Sequence, residues 1–208
     1  MIDPTLVTYL RSLAPQREPL LQEIERRAEE GYIPILDLET VSLLQVLLKI
    51  AKPRRILELG TAIGYSAIVM GQACEAEITT LERDPVRAEE ARTNFERAGL
   101  TERISLVEGD ALELIESLGM FDFIFLDAAK GQYPKFLELI DPHLERGGVL
   151  LSDNILFQGM VSGQEQVKHK LRTMVGRLRE YNELLAHHPG YETTFLPLGD
   201  GVSLSVKK

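Results

Sequence analysis

Residues 56–66 read ILELGTAIGYS, and they combine a short apolar strand, a loop with two glycines and the start of a helix. Glycine allows the backbone to turn sharply and allows a ligand to approach the main chain closely. The glycines have the spacing Gly-x-x-x-Gly instead of Gly-x-Gly-x-x-Gly, which weakens the interpretation as a pyrophosphate-binding loop. The N-terminus of the following helix could instead face a carboxylate, such as the tail of an amino acid.

Outside this stretch, short apolar runs alternate with longer helical patterns. This alternation predicts an α/β, Rossmann-like fold in which helices cover both faces of a mostly parallel sheet. The predicted strands span residues 55–59, 77–81, 103–107, 121–126 and 148–151, and the helices between them span 66–74, 85–98, 111–118 and 133–141.

The two ends of the chain carry different patterns. The first 50 residues predict an N-terminal helical addition, with helices that begin at Asp3-Pro4, at Glu18-Pro19 and near residue 38. Residues 162–186 predict one long helix, which is followed by an antiparallel hairpin of residues 191–196 and 202–206. We expect residues 1–208 to form a single domain.

The composition excludes several classes of protein. The chain has 208 residues, one cysteine, four histidines and a formal net charge of -9. A single cysteine forms no internal disulfide, and the scattered histidines lack the spacing of a zinc site. The acidity argues against a general nucleic-acid coat protein. No stretch has the apolar length of a membrane span or of a signal peptide, so we expect a cytoplasmic protein.

Acidic residues follow the second and third predicted strands. Glu82 directly follows the second strand, where a carboxylate can accept hydrogen bonds from both hydroxyls of a ribose. Asp110 follows the third strand and could accept from an adenine amino group, while Ala111 leaves space for the ring. Asp110 could also be only the N-cap of a helix. Together with the glycine loop, these residues occupy three successive strand ends, an order that favours a nucleoside site.

Polar residues also follow the fourth and fifth predicted strands. Asp127 directly follows the fourth strand, and Asp153-Asn154 follows the fifth. Ligands of open α/β sheets bind outside the carboxyl ends of the strands, so these side chains are expected to converge. Two carboxylates and an amide oxygen suit Mg²⁺, Mn²⁺ or Ca²⁺ better than zinc. The alternative is that the aspartates only cap the turns that follow the strands.

The stretch ELGTAIGYSA at residues 58–67 resembles the metal-dependent catechol and caffeoyl-CoA O-methyltransferases, which belong to the class I S-adenosylmethionine-dependent methyltransferases. The resemblance implies a seven-stranded sheet with one antiparallel strand. It also implies that Glu82 binds the ribose, and that the methionine moiety lies near the glycine loop. The residues that it assigns to the cofactor are Leu36, Glu58, Gly60, Ser66, Glu82, Asp110, Ala111 and Asp127.

The same resemblance implies a metal-assisted reaction. Asp127, Asp153 and Asn154 would hold Mg²⁺ or Mn²⁺, which lowers the pKa of a substrate hydroxyl and orients it. A second substrate oxygen would complete the chelate, so the substrate is expected to carry vicinal oxygens. Asp127 and Lys130 are the expected catalytic residues, with Lys130 as the base. The alternatives for Lys130 are a salt bridge to Asp127 and a solvated charge.

The stretches at residues 60–68, 127–133, 153–157 and 180–182 resemble a bacterial branch of this group, the tRNA 5-hydroxyuridine methyltransferases. The branch implies methylation of the wobble uridine to 5-methoxyuridine, with the tRNA anticodon loop as partner. Five Lys or Arg residues within 168–179 could follow the loop backbone, or could form a solvated helix face balanced by Glu165, Glu180 and Glu183.

Two other functions stay open. One is methylation of a small catechol-like or caffeoyl-CoA-type substrate by the same site. The other is a nicotinamide-dependent oxidoreductase, which the missing middle glycine at Ala62 and the Asp127, Asp153 and Asn154 set argue against. We expect a homodimer in either case.

Overall fold

The computed structural model describes residues 4–163 and 167–208. Its strands are β1 (Arg55–Leu59), β2 (Glu77–Glu82), β3 (Ile104–Glu108), β4 (Phe121–Leu126), β5 (Leu144–Ser152), β6 (Tyr191–Leu196) and β7 (Val202–Lys207). Its α-helices are α1 (Pro4–Leu13), α2 (Pro19–Glu30), α3 (Leu38–Ala51), α4 (Tyr65–Ala73), α5 (Pro85–Arg97), α6 (Ala111–Leu114), α7 (Tyr133–Ile140) and α8 (Arg172–Ala186). No helix among these described residues is both long enough and apolar enough to cross a membrane.

The strands form a seven-stranded sheet in the order β3-β2-β1-β4-β5-β7-β6. β1 pairs with β2, β2 with β3, and β4 with β5 in parallel, whereas β7 runs antiparallel to both β5 and β6. The mostly parallel, Rossmann-like sheet with one antiparallel strand is therefore confirmed. The contacts divide the chain into two compact units, with the boundary between Ala111 and Leu112. The single domain stays a prediction.

The unit that ends at Ala111 holds β1 to β3 and the helices around them. Leu59 pairs with Leu81, and Glu82 pairs with Glu108, so the carboxyl ends of the three parallel strands lie at one edge. Helix α4 is buried along residues 65–71, which explains why it is apolar on every side. Helices α2 and α3 pack against it, as expected of the N-terminal addition. Asp3, the predicted start of the first helix, lies outside the described residues.

The unit from Leu112 to Lys208 holds β4 to β7. Phe125 pairs with Leu151 and Leu126 pairs with Ser152, so the ends of β4 and β5 are in register. Both strands are buried where they pair, and helices α7 and α8 pack against each other.

The predicted continuous helix over residues 162–186 is wrong. Residues 160–162 form a short 3₁₀ helix, and Gly163 follows with a left-handed φ of 81° that ends it. A second 3₁₀ turn covers residues 169–171, and α8 begins only at Arg172. The hairpin of β6 and β7 is formed as predicted.

Candidate functional site

The loop after β1 is held against the end of β2 by its own main chain. The N–H of Gly60 donates to the carbonyl of Leu81 at 3.0 Å, and Gly60 has a φ of 91°. Gly64 has a φ of 88°, and a Cβ there would lie 2.6 Å from Cε1 of Phe95. Both glycines are therefore required by the backbone, and Gly64 is also required by close packing.

The Glu82 carboxylate is held at the end of β2 by three main-chain N–H groups. One oxygen accepts from Ala62 at 2.9 Å, and the other accepts from Arg83 and Asp84 at 2.9 Å each. A carboxylate has about four acceptor positions, so about one remains for a ligand hydroxyl. A ribose that used both hydroxyls would share an acceptor position with one of these N–H groups.

Glu58 lies near the end of β1 and connects this strand to β2 and α4. Its carboxylate is fully buried and accepts hydrogen bonds from the hydroxyls of Ser66 and Thr80. The sequence interpretation placed Glu58 and Ser66 at the cofactor but missed Thr80. The shared position of Glu58 and Thr80 on paired strands was the available signal, since the register brings them side by side.

Three further residues assigned to the cofactor, Leu36, Asp110 and Ala111, belong to this unit but take no part in these hydrogen bonds, whereas Asp127 belongs to the unit from Leu112 to Lys208. Leu36 is buried in the segment between α2 and α3, and Asp110 is exposed after β3, directly before Ala111 at the start of α6. The Thr61 hydroxyl is buried and has no hydrogen-bond partner among the described residues. A ligand with polar groups could satisfy it, so this loop fits a nucleoside-bearing cofactor.

In the second unit, the predicted metal residues follow β4 and β5. The N–H of Asp153 donates to the carbonyl of Leu126 at 3.0 Å. This main-chain hydrogen bond links the end of β4, directly before Asp127, to Asp153 at the end of β5. Asn154 has a left-handed φ of 57°, which Asn tolerates better than most residues. In the part of the chain that is described, no three His, Cys, Asp or Glu residues gather around a possible ion.

The oxygen donors at these strand ends fit a hard divalent ion. Mg²⁺ is commonly held by one or two carboxylates, and water or substrate oxygens complete its coordination. Asp127 and Asp153 supply two carboxylates, and Asn154 supplies an amide oxygen. Two carboxylates and one amide oxygen are thus the kind of ligands that a hard divalent ion prefers.

Lys130 forms an ion pair with Asp127, with Nζ 2.5 Å from Oδ1. Both side chains are about one-fifth exposed, with relative areas of 21% and 20%. Burial raises the pKa of Asp127, and the Lys130 ammonium opposes that rise. The salt bridge that the sequence left open for Lys130 is thus present in the structure.

Two buried tyrosines lie against these strand ends. The Tyr133 hydroxyl contacts the carbonyl oxygens of Leu126 at 3.2 Å and Asp153 at 2.9 Å. Its ring meets the ring of Tyr181 edge-on, with centroids 5.1 Å apart, and the Tyr181 hydroxyl bonds to Ser152 at 2.5 Å. Burial raises the pKa of Tyr181 to about 12 and that of Tyr133 well above its usual value, so both remain protonated at neutral pH. The sequence interpretation assigned neither tyrosine a role.

The segment after Asn154 is fixed by the turn between β6 and β7. The N–H of Ile155 donates to the carbonyl of Gly201, and that of Leu156 donates to the carbonyl of Asp200, both at 3.0 Å. A Cβ at Gly201 would clash with the side chain of Leu156, and Gly201 has a φ of 88°. The turn must therefore carry glycine at this position.

The basic side chains within residues 168–179 are exposed, and only some of them form ion pairs or hydrogen bonds with the described residues. Arg177 pairs with Glu180 at 2.7 Å, and Arg179 donates to the main-chain carbonyls of Met160 and Val161. Among the described residues, no carboxylate forms an ion pair with Lys168 or Lys170. Of the other two predicted balancing charges, Glu183 lies beside His187 at 3.5 Å, and Glu165 lies outside the described residues.

The chain is similar in sequence to known O-methyltransferases. A sequence profile described as O-methyltransferase matches residues 12–208. A catechol O-methyltransferase from Niastella koreensis is 31% identical over 177 residues, which cover 79% of this chain and 78% of that protein.

The similarity extends to solved structures. A Staphylococcus aureus protein provisionally assigned as a caffeoyl-CoA O-methyltransferase matches with a TM-score of 0.92 and 34% identity, over 98% of this chain and 100% of that one. An O-methyltransferase from Bacillus cereus in complex with SAH matches with a TM-score of 0.87 and 28% identity, over 98% and 97% of the two chains.

Proposed function

Because this chain belongs to the O-methyltransferase family and is an S-adenosylmethionine-dependent enzyme, we propose that it methylates a hydroxyl group that has a second oxygen beside it. Two vicinal oxygens suit a substrate that chelates a divalent ion. The family also excludes the nicotinamide-dependent oxidoreductase, so that alternative is wrong.

The cofactor would be bound by the residues of the unit that ends at Ala111. Glu82 would accept from the ribose, Asp110 and Ala111 would face the adenine, and Leu36 would contact the cofactor from the α2–α3 segment. The Glu58 carboxylate supports this arrangement, because it holds the Ser66 hydroxyl at the start of α4. Gly60 leaves the main chain accessible to the methionine moiety.

The metal would be held by Asp127, Asp153 and Asn154, which all belong to the unit from Leu112 to Lys208. A bound Mg²⁺ or Mn²⁺ lowers the pKa of a substrate hydroxyl and neutralises charge on the oxygen that receives the methyl group. The donor set supports a hard ion, and the main-chain bond from Asp153 to Leu126 supports a fixed arrangement of the two strand ends.

Lys130 would remove the proton of the substrate hydroxyl. An ammonium group cannot accept a proton, so this role requires neutral Lys130 before methyl transfer. In the structure, Lys130 is paired with the carboxylate of Asp127. Lys130 would become the base only when Asp127 no longer balances its charge, which follows if Asp127 serves as a metal ligand.

For the substrate, we propose 5-hydroxyuridine at the wobble position of tRNA. Its O4 and O5 are vicinal, and the base lies in a single-stranded loop whose edges are accessible to a protein pocket. The observation that carries this proposal is the exposed pair Lys168 and Lys170, which the described residues leave without a carboxylate partner. Exposed cations of this kind suit contacts to phosphates.

A small catechol-like or caffeoyl-CoA-type substrate is the second candidate. It is favoured by the similarity to proteins that are named for these substrates. It is also compatible with the overall acidity of the chain, since a net charge of -9 opposes general binding to RNA.

One experiment separates the two candidates. Nucleosides of tRNA from a strain that lacks the protein are analysed, and the purified protein is assayed with that tRNA and with a simple catechol. We expect 5-methoxyuridine to disappear, 5-hydroxyuridine to accumulate and the tRNA to be methylated in vitro. Unchanged tRNA together with rapid methylation of the catechol would establish the second candidate.

We also propose a homodimer. Helix α1 exposes an apolar stripe at helical spacing, formed by Leu6, Tyr9, Leu10 and Leu13. Exposed apolar residues in such a stripe are typical of protein contacts. Sedimentation of the full chain checks this, because Leu13→Lys should convert a dimer into a monomer, whereas a monomeric wild-type protein would refute it.

A further inference from the structure

One buried hydroxyl group contacts the main chain of both strand ends that carry the proposed metal ligands. Tyr133 is fully buried, and its hydroxyl oxygen lies 2.9 Å from the carbonyl oxygen of Asp153 and 3.2 Å from that of Leu126. A hydroxyl has one proton to donate, so the nearer carbonyl, that of Asp153, is its main acceptor. Leu126 directly precedes Asp127, so the contact involves both ends of the proposed site.

The carbonyl of Asp153 belongs to the peptide plane that precedes Asn154. Asn154 has a φ of 57°, a left-handed conformation that is uncommon for residues with a Cβ, although Asn tolerates it better than most. Rotation of the peptide plane between Asp153 and Asn154 changes this φ directly. The Tyr133 hydroxyl therefore restrains the dihedral angle that sets the direction of the Asn154 side chain.

The peptide groups on the other side of Asn154 are restrained as well. The N–H of Ile155 donates to Gly201, and the carbonyl of Ile155 accepts from the Asn182 side chain at 3.0 Å. Asn154 thus has restrained main chain on both sides, and Tyr133 provides the side-chain contact on the side of Asp153.

We propose that Tyr133 is a positioning residue that holds Asp153 and Asn154 in their metal-binding arrangement relative to Asp127. The inference rests on the metal site proposed above, and it adds a residue that would not touch the ion. Outer residues that orient ligands typically change metal affinity by about ten- to a hundred-fold when they are altered.

The hydroxyl can be tested separately from the ring. Phe in place of Tyr133 keeps the ring and its edge-on contact with Tyr181, and it removes only the hydroxyl. Tyr191 is a matched control in the same unit, because it is also buried. Its hydroxyl donates to Asp141 at 2.9 Å, and Asp141 is not one of the proposed metal ligands.

The test is titration of the full-length protein with Mn²⁺, followed by the electron paramagnetic resonance of the free ion. We expect Tyr133→Phe to weaken Mn²⁺ binding by about ten-fold or more, while Tyr191→Phe leaves it unchanged. Equal affinity in wild type and Tyr133→Phe would overturn the role of Tyr133 alone. Wild-type protein that binds no Mn²⁺ would overturn the metal site and the positioning role together.

A second measurement distinguishes weaker Mn²⁺ binding from a general loss of stability in the variants. The rise in melting temperature that Mn²⁺ produces is recorded for each variant, because this rise reports binding to whatever folded protein is present. Tyr181→Phe is included, since it removes the bond to Ser152 but keeps the Tyr133 hydroxyl. We expect a clearly smaller rise only in Tyr133→Phe. An equally reduced rise in Tyr181→Phe or Tyr191→Phe would indicate general loosening and refute the specific role.

Discussion

The main-chain N–H of Ala62 lies 2.9 Å from a carboxylate oxygen of Glu82, so the loop after β1 and the end of β2 share a hydrogen bond. Ala62 has a φ of 48°, a left-handed conformation that costs an L-residue about 1–2 kcal/mol. Glu82 therefore has a structural task in addition to its proposed contact with the ribose, because its carboxylate stabilises the strained loop.

The first prediction follows from this double role. Glu82→Gln replaces one acceptor oxygen by an N–H₂ group, which cannot accept from the surrounding main-chain N–H groups. We expect S-adenosylmethionine affinity to fall about ten- to a hundred-fold, equivalent to about 1.5–3 kcal/mol, together with a lower melting temperature.

Calorimetry with Glu108→Gln as the control checks this. Glu108 is the partner of Glu82 in the β2–β3 register, but its carboxylate pairs with exposed Arg92. Unchanged cofactor affinity in Glu82→Gln would remove Glu82 from the cofactor site.

The second prediction concerns removal of the metal. Activity should require Mg²⁺ or Mn²⁺ and stop in excess EDTA, and Asp153→Ala should lose turnover while S-adenosylmethionine binding persists. The reason is that the proposed ion acts on the substrate oxygens. Glu138→Ala, which breaks only an exposed pair with Lys135, serves as the control. Full turnover in EDTA would contradict the metal requirement.

The third prediction concerns Lys130. Lys130→Met should lower the turnover number about a hundred-fold or more at neutral pH, because general bases typically contribute that much, and it should spare cofactor binding. The deficit should shrink as pH rises, because the substrate hydroxyl then ionises without a base. Lys135→Met, at an exposed site on α7, is the matched control. Wild-type turnover in Lys130→Met at neutral pH would exclude the base role.

The fourth prediction concerns the basic segment. Lys168→Ala combined with Lys170→Ala should weaken tRNA binding and reduce the slope of log affinity against log salt by about one for each phosphate that the variant no longer neutralises. Arg177→Ala is the control, because Arg177 is already paired with Glu180. Filter binding over a range of salt concentrations measures both quantities. An unchanged slope would identify the segment as a solvated surface.

The fifth prediction is a loss of stability at alkaline pH. Burial raises the pKa of four tyrosines above the usual value of 10, so above that pH the folded state binds more protons than the unfolded state. The free energy of unfolding must then fall as pH rises, by about 1.4 kcal/mol per pH unit for each such group. The four residues are Tyr65, Tyr133, Tyr181 and Tyr191.

Melting temperatures between neutral and strongly alkaline pH test the fifth prediction. Tyr191→Phe should flatten the decline, whereas Tyr9→Phe, at an exposed position on α1, should leave it unchanged. A melting temperature that stays constant above the usual tyrosine pKa would contradict the expected linkage.

The sequence was sufficient to predict the position of a residue where that position follows from the order of the strands. Asp127, Asp153 and Asn154 could be predicted at two strand ends, because apolar runs mark the strands and parallel strands end at one edge. It was insufficient where the contact depends on tertiary packing. The contact of Tyr133 with Asp153 joins residues twenty positions apart, and no periodic pattern encodes it. The start of α8 was missed because Gly163 and the 3₁₀ turns interrupt a helical composition.

The position of β7 between β5 and β6 has a consequence for how the protein folds during synthesis. When β5 has emerged from the ribosome, its edge is open, because its neighbour β7 is made about fifty residues later. Strand β6 is made first but pairs with β7 alone, so it cannot protect that edge. An open apolar edge is a template for aggregation. The nascent chain should therefore depend on chaperones until β7 inserts, and slow synthesis of residues 153–201 should lower the yield of folded protein.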